Sequence, residues 1–189
     1  MRCFLAVPLR PPALGAAQQV LQRLRSDIDA VRWARPETLH ITLHFFGSIA
    51  DERVTAALEA VLPVIGASPR FEVVTDTLGS FPGRGTPRVL WLGSSHQSAA
   101  VHELADSVRN RLHEAQFAID ERPFRAHVTL GRPRDPWPRG ARAAWDAARS
   151  RGVVPTTFVA DRAVLFESVT GRDAAVYVER AELPFAAGV

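Results

Sequence analysis

The chain has no lysine: all 23 of its basic residues are arginine. With 20 acidic residues the formal net charge is only +3, yet the sequence pI is near 10.3. Arginine carries a planar fork that grips phosphate at two points and stacks on bases. The composition therefore permits a nucleic-acid partner without demonstrating one, since a general bias toward Arg, Ala, Pro and Gly also explains the missing lysine. The single cysteine, Cys3, excludes an internal disulfide and a thiolate metal cluster. It falls in an apparent strand, where a buried thiol is the ordinary fate. No apolar run of about 18 residues occurs, so no helical membrane span is expected. The opening MRCFLAVPLRPP has a short apolar run followed by prolines and arginine, unlike a secretory leader. The expectation is a cytoplasmic protein with no membrane partner. Its 189 residues suffice for one compact domain or two closely packed lobes.

The periodicities predict a mixed α+β chain. RCFLAVPL reads as a strand ending at Pro8. A helix opening near Pro11 and Pro12 places Leu14, Leu21, Leu24 and Ile28 at helical spacing. LHITLHFF is the next strand, broken by Gly47 and Ser48. Asp51 starts a second helix with Val54, Leu58, Val61, Leu62 and Ile65 on one side, and Pro69 closes it. RFEVVTDTLGSF reads as one strand, PGRGTPR as a turn, and RVLWLG as a buried strand completing a hairpin. A long helix over Gln97–Gln116 carries the stripe Val101, Leu104, Ala105, Val108 and Leu112. RPFRAHVTLGR is a further strand, PRDPWPRG a loop, and Ala141–Ser150 a short helix. TTFVADRAVLFES and AVYVERAELPF close the chain as two strands joined at TGRD. The two halves look like degenerate copies, so the economical expectation is one bilobal domain, residues 1–189, with approximate two-fold symmetry.

Each half writes His, aliphatic, Thr, Leu once: His40-Ile-Thr42-Leu43 and His127-Val-Thr129-Leu130. Side chains alternate across a strand, so His40 and Thr42 share one face, and His127 and Thr129 another. Ile41, Leu43, Val128 and Leu130 point to the core. If the polar faces meet in one cleft, the cleft holds two imidazoles and two hydroxyls. One imidazole takes a proton from a nucleophile and the other protonates a leaving oxygen, as phosphodiester cleavage near neutral pH requires. The hydroxyls hydrogen-bond the non-bridging phosphate oxygens. The scheme needs no metal and no cofactor. Sequence alone treats the two histidines as interchangeable.

With these paired motifs the chain resembles the 2H phosphoesterase superfamily. Within it, RCFLAVPL, LHITLHFFG, RVLWLG, RPFRAHVTLGR and VLFES…YVERAELPF, in that order, resemble the RNA 2′,3′-cyclic phosphodiesterases, also called bacterial and archaeal 2′-5′ RNA ligases. The resemblance implies a bilobal fold with a central cleft between two antiparallel-rich sheets and outer helices. It implies hydrolysis of an RNA 2′,3′-cyclic phosphate end to a 2′-phosphate, with 2′-5′ ligation as a related activity. Carried over by position, His40 is the acid that protonates O3′, His127 the base that activates water, and Thr42 and Thr129 orient the phosphate. Arg132, Arg125 and Phe46 are candidate substrate contacts. The expected partner is RNA ending in a 2′,3′-cyclic phosphate, or a nucleotide, bound by a monomer.

His44 departs from the family's usual residue and by alternation shares the face of His40 and Thr42. Three histidines at 40, 44 and 127 suit zinc in principle, but nearby acids follow no ligand pattern. His96, His102 and His113 are expected at the surface. Of the four tryptophans, Trp137 in its Pro-Arg loop is the candidate for RNA contact. Two rival functions stand beside the main one: a phosphodiesterase for small cyclic nucleotides or 2′-5′ linkages, and a non-catalytic RNA-binding module.

Overall fold

The computed structural model describes residues 1–96, 98–170 and 175–187. In order the elements are β1 (Arg2–Pro8), α1 (Ala13–Asp27), β2 (Val31–Trp33), β3 (His40–Ser48), α2 (Asp51–Ala67), β4 (Phe71–Thr75), β5 (Thr77–Phe81), β6 (Val89–Gly93), α3 (Ala99–Glu114), β7 (His127–Pro133), α4 (Arg139–Arg151), β8 (Thr156–Ala160), β9 (Arg162–Thr170) and β10 (Ala175–Pro184). The large sheet runs β10-β9-β1-β3-β7-β6-β5, with β2 also paired to β7. A separate two-stranded sheet joins β4 to β8. The ladders between strands are antiparallel.

The large sheet divides at its middle. β10, β9, β1 and β3 form one half; β7, β6, β5 and β2 form the other. The recorded β3–β7 register is one cross-strand pair, Ile41 opposite Val128. The expected pseudo-two-fold arrangement passes through this pair.

One face of the sheet packs under helices. Leu5, Val7, Ile41, Leu90, Leu92, Val128 and Leu130 form one cluster with Leu21, Val61, Val108, Leu112 and Trp145 from α1 to α4. The opposite face of the first half carries a second, smaller cluster of Phe4, Ala6, Val164 and Phe166, with Tyr177 against it. This is why β1 reads as a continuous apolar run: it is buried on both faces.

Several elements differ from the sequence expectation. RFEVVTDTLGSF is two strands, because Asp76 interrupts it; β4 joins the small sheet and β5 the large one. Asp76 caps this break by accepting bonds from the Ser95 amide and hydroxyl, each at 2.6 Å. TTFVADRAVLFES likewise splits at Asp161 into β8 and β9. β2 is a short strand that its sequence does not announce. In α2, Ala57 rather than Leu62 completes the buried stripe, and Leu62 is 54% exposed. In α1, Ala13 and Ala17 lie innermost and Leu14 is only half-buried. The long third helix runs Ala99–Glu114, and Gln97 lies outside the described residues. So do residues 171–174 of the expected TGRD turn.

Gly79 shows how tightly the second half is built. A Cβ there would lie 2.1 Å from the Trp91 ring, which crosses directly over the strand. The substitution Gly79→Ala is expected to cost about 1–3 kcal/mol, the range for overpacking a filled site. Chemical denaturation of the two proteins checks it; an unchanged midpoint would show that Trp91 moves freely.

Candidate active site

The register puts both motifs on the sheet face away from the helices. Thr42 lies opposite Ala6 and His40 opposite Pro8, on the face of Phe4 and Phe166. Thr129 lies opposite Trp91 and His127 opposite Gly93. Around the Ile41–Val128 pair the antiparallel direction brings Thr42 toward His127 and His40 toward Thr129. The structure thus brings together the four residues singled out from the sequence.

Both imidazoles are held in the same way. His40 Nδ1 lies 2.6 Å from the Thr38 carbonyl oxygen, and His127 Nδ1 lies 2.7 Å from that of Arg125. A carbonyl only accepts, so each Nδ1 donates its proton. In the neutral ring Nε2 then carries a lone pair. Aromatic side chains support each ring. His40 stacks on Phe4 at 4.8 Å and meets the edge of Tyr177 at 5.5 Å. His127 meets Phe81 edge-on at 4.9 Å, with Trp91 at 6.5 Å behind it. These aromatic walls were missed from sequence, although an unbroken apolar β1 was a signal for them.

Burial lowers the pKa of His40 to about 4; its Thr38 bond opposes the shift and the charge of His127 adds to it. His127 is also lowered, first by burial, then by Arg132 and Arg125, with its Arg125 carbonyl bond opposing. Both rings are therefore mainly neutral at pH 7 in the unliganded protein.

Each motif strand carries a bulge at its leucine. Ala6 pairs with Thr42 but Leu5 pairs with His44, so Leu43 is the extra residue. Trp91 pairs with Thr129 but Leu90 with Gly131, so Leu130 is the extra residue. After a bulge the alternation resumes one residue late. The residue next to Leu therefore turns toward the core, and the one after it returns to the site face. His44 is the first such residue in β3. It lies beside Leu5, is only 8% exposed and meets Phe46 edge-on, so it does not share the face of His40. Phe45, beside Phe4, returns to the site face and is 51% exposed, with the Arg2 guanidinium 5.1 Å from its ring centre. Phe46 instead packs against His44 and Phe117. The exposed aromatic of this stretch is thus Phe45, one residue before Phe46, the candidate contact named from the sequence.

In β7 the same shift turns Gly131 inward and returns Arg132 to the site face. Arg132 and Phe45 are equivalent positions of the two halves. Arg125 precedes β7, and its guanidinium lies 4.9 Å from the Trp91 ring centre. Trp137 is half-buried against the core and donates its indole N–H to Asp29 O, so its ring is not an open platform. His102 is half-buried near Phe124, while His96 and His113 are exposed. Among the described residues no three His, Cys, Asp or Glu side chains gather as a metal-ligand group.

The sequence model of the 2′-5′ RNA ligase superfamily matches residues 11–172. An RNA 2′,3′-cyclic phosphodiesterase of Geobacillus stearothermophilus is 31% identical over 87% of this chain and 51% of its own length. The chain thus spans about half of that relative. One from Archaeoglobus fulgidus is 35% identical, covering 70% of this chain and 72% of its own. Among solved structures, TT0787 of Thermus thermophilus superposes with a TM-score of 0.79 at 23% identity, covering 97% of each chain. E. coli LigT complexed with 3′-AMP gives 0.76 at 20% identity, again covering 97% of each chain. These structural matches concern the fold.

His44 yields a pH prediction. Its buried Nε2 has no hydrogen-bond partner, and burial lowers its pKa to about 4, with Asp120 opposing and Arg109 adding to the shift. The unfolded chain takes up this proton near pH 6.5 and the folded chain only near 4. Its stability contribution is therefore intact above pH 6.5 and is lost as pH falls from 6.5 toward 4. Thermal melts of His44→Phe are expected to lose less Tm between pH 7.5 and 4.5 than wild type, with turnover retained. Equal losses would mean that His44 is protonated as easily in the fold as outside it.

Proposed function

The chain belongs to the 2′-5′ RNA ligase superfamily, and from that membership we propose that it hydrolyses RNA 2′,3′-cyclic phosphate ends to 2′-phosphates by two-histidine acid–base catalysis. The observation that carries this reading is the pair of imidazoles on one sheet face, each with Nδ1 bound to a backbone carbonyl and a threonine two residues on. The cyclic phosphodiesterase names of the Geobacillus and Archaeoglobus relatives support the same reaction class.

In the proposed reaction His127 Nε2 takes a proton from water as its oxygen attacks phosphorus. The P–O3′ bond breaks, and His40 gives a proton to O3′. A 2′-phosphate and a free 3′-hydroxyl result. Thr42 and Thr129 hydrogen-bond the non-bridging oxygens. With an RNA 5′-hydroxyl replacing water, the same proton transfers yield a 2′-5′ linkage. We assign this work to one bilobal domain acting as a monomer.

The environments support this division of roles. Burial first, and then the charges of Arg132 and Arg125, favour a neutral His127, the state a base needs. His40 is lowered mainly by burial. A bound phosphodiester anion opposes that effect and favours the protonated ring an acid needs.

The substitutions His40→Ala and His127→Ala are each expected to lower kcat on an RNA ending in a 2′,3′-cyclic phosphate by at least about 100-fold. Turnover should persist in EDTA. Near-normal rates in either variant, or a 3′-phosphate product, would sink the assignment.

The pH profiles offer a separate check. The alkaline limb reports loss of the acid's proton: kcat/KM senses free His40, and kcat senses His40 beside bound phosphate. Because the anion raises its pKa, the alkaline limb of kcat should lie at higher pH than that of kcat/KM. Coincident limbs, with chemistry rate-limiting, would mean that His40 does not face the phosphate.

A further inference from the structure

We propose that the RNA strand leading to the cyclic phosphate lies across the His127 half of the sheet, over the arginines of segments 28–35, 82–88 and 125–134. This rests on the function proposed above, and it adds which of two unlike walls holds the polymer.

The halves differ in how their arginines are balanced. On the His40 half, Arg10 pairs with Asp161, Arg162 with Glu182 and Arg180 with Glu167, which leaves Arg2, over the Phe45 ring, outside these pairs. Among the described residues, no ion pair engages Arg32, Arg84, Arg88, Arg132 or Arg134 on the other half. Asp29 is the one acid within those segments, and Asp27, Glu37 and Asp135 lie within two residues of their ends.

The register concentrates this charge. Arg32 of β2 lies directly opposite Arg132 of β7. Like charges in that position repel and destabilise a sheet. A polyanion laid across them turns the repulsion into attraction. The supporting segments are also fastened to one another. The Arg134 amide donates to Ala30 O at 2.8 Å. Trp137 Nε1 lies 3.4 Å from Asp29 O, and Arg142 donates to Gly85 O at 3.1 Å. The hairpin bearing Arg84 and Arg88 opens at the Leu90–Gly131 end of its ladder, beside Arg132.

The placement fits a strand extending away from the reacting phosphate. Arg132 lies beyond the Leu130 bulge, toward the end of β7 away from His127, and its charge still reaches the His127 ring. Arg32, Arg134 and the hairpin lie at that same end. On the other half the equivalent of Arg132 is Phe45, a ring suited to stacking rather than to phosphate.

The test compares wild type with the triple variant Arg32→Gln, Arg84→Gln, Arg134→Gln. Fluorescence anisotropy measures Kd for an oligoribonucleotide ending in a 2′-phosphate, which is not turned over. Kinetics on a nucleoside 2′,3′-cyclic monophosphate and on an oligonucleotide with the same end complete the comparison. The expected result is at least a tenfold rise in oligonucleotide Kd and KM, with mononucleotide kcat/KM within twofold of wild type. The slope of log Kd against log salt should fall by about 2, at ~0.7 per phosphate contact on a single strand. Tm should not fall, since a repulsive pair is removed. The control Arg162→Gln, Arg180→Gln on the other half should leave oligonucleotide Kd unchanged.

An unchanged oligonucleotide Kd in the triple variant, or an equal loss in the control, would overturn the proposal. So would an equal loss for the mononucleotide, which would place these arginines at the reacting nucleotide itself. Arginine-dependent binding in a wild-type protein that turns over neither substrate would uphold the track and remove the hydrolase reading.

Discussion

The Ile41–Val128 pair sets the geometry of everything around it. It is the recorded register between the two halves of the large sheet, and both side chains are buried beneath the helices. Because neighbours on a strand point oppositely, burying this pair drives His40, Thr42, His127 and Thr129 onto the other face. The apolar partners thus position the polar ones. A one-residue slip of either strand would exchange the two sets, placing imidazoles in the core and aliphatics in the site. The cost of burying unpaired imidazoles keeps the register in place.

The bulges at Leu43 and Leu130 decide which side chains reach the site face beyond each motif. Without them His44 and Gly131 would occupy the site face, while Phe45 and Arg132 would be turned toward the helices. With them, the two halves present unlike groups at equivalent places: a ring on one side and a guanidinium on the other. The approximate symmetry of the backbone therefore carries an asymmetric surface.

The part of the site legible in the sequence is the part governed by strict alternation. His-x-Thr written twice, with aliphatics between, needs only period two to be understood. Arg125 follows from alternation with His127, whereas Arg132 came from the family resemblance, since a regular strand would have buried it. His44 and Phe46 were misplaced for the same reason, since a bulge is a property of two strands and leaves no mark on one. The splits at Asp76 and Asp161 were hidden because each lies inside an otherwise strand-like run. The chain changes sheets there, and only the small β4–β8 sheet reveals it. Leu62 looked inward on a helical wheel, yet the sheet meets α2 through Val54, Ala57, Val61 and Ile65. The aromatic walls behind the histidines were hard to assemble because Phe4, Phe81, Trp91 and Tyr177 come from four different strands, and the apolar run of β1 signalled only the first of them.

Burial of the histidines bears on the proposed roles in two ways. In the free protein it favours neutral rings, and for both it is the largest influence. The same scarcity of water lowers the effective dielectric around the ring, so a charge placed beside it acts more strongly than in solution. A phosphodiester anion entering the site therefore shifts His40 upward by more than it would shift an exposed histidine. On the proposed roles, a bound anion favours the protonated ring and its departure removes that effect. His127 would experience the same anion, and the charges of Arg132 and Arg125, which lower its pKa in the free protein, oppose that attraction. One binding event thus separates two imidazoles that are both neutral beforehand, toward the protonated state at His40 and the neutral state at His127. On the proposed roles, the acid and the base are distinguished by what flanks them, although the motifs that carry them are alike.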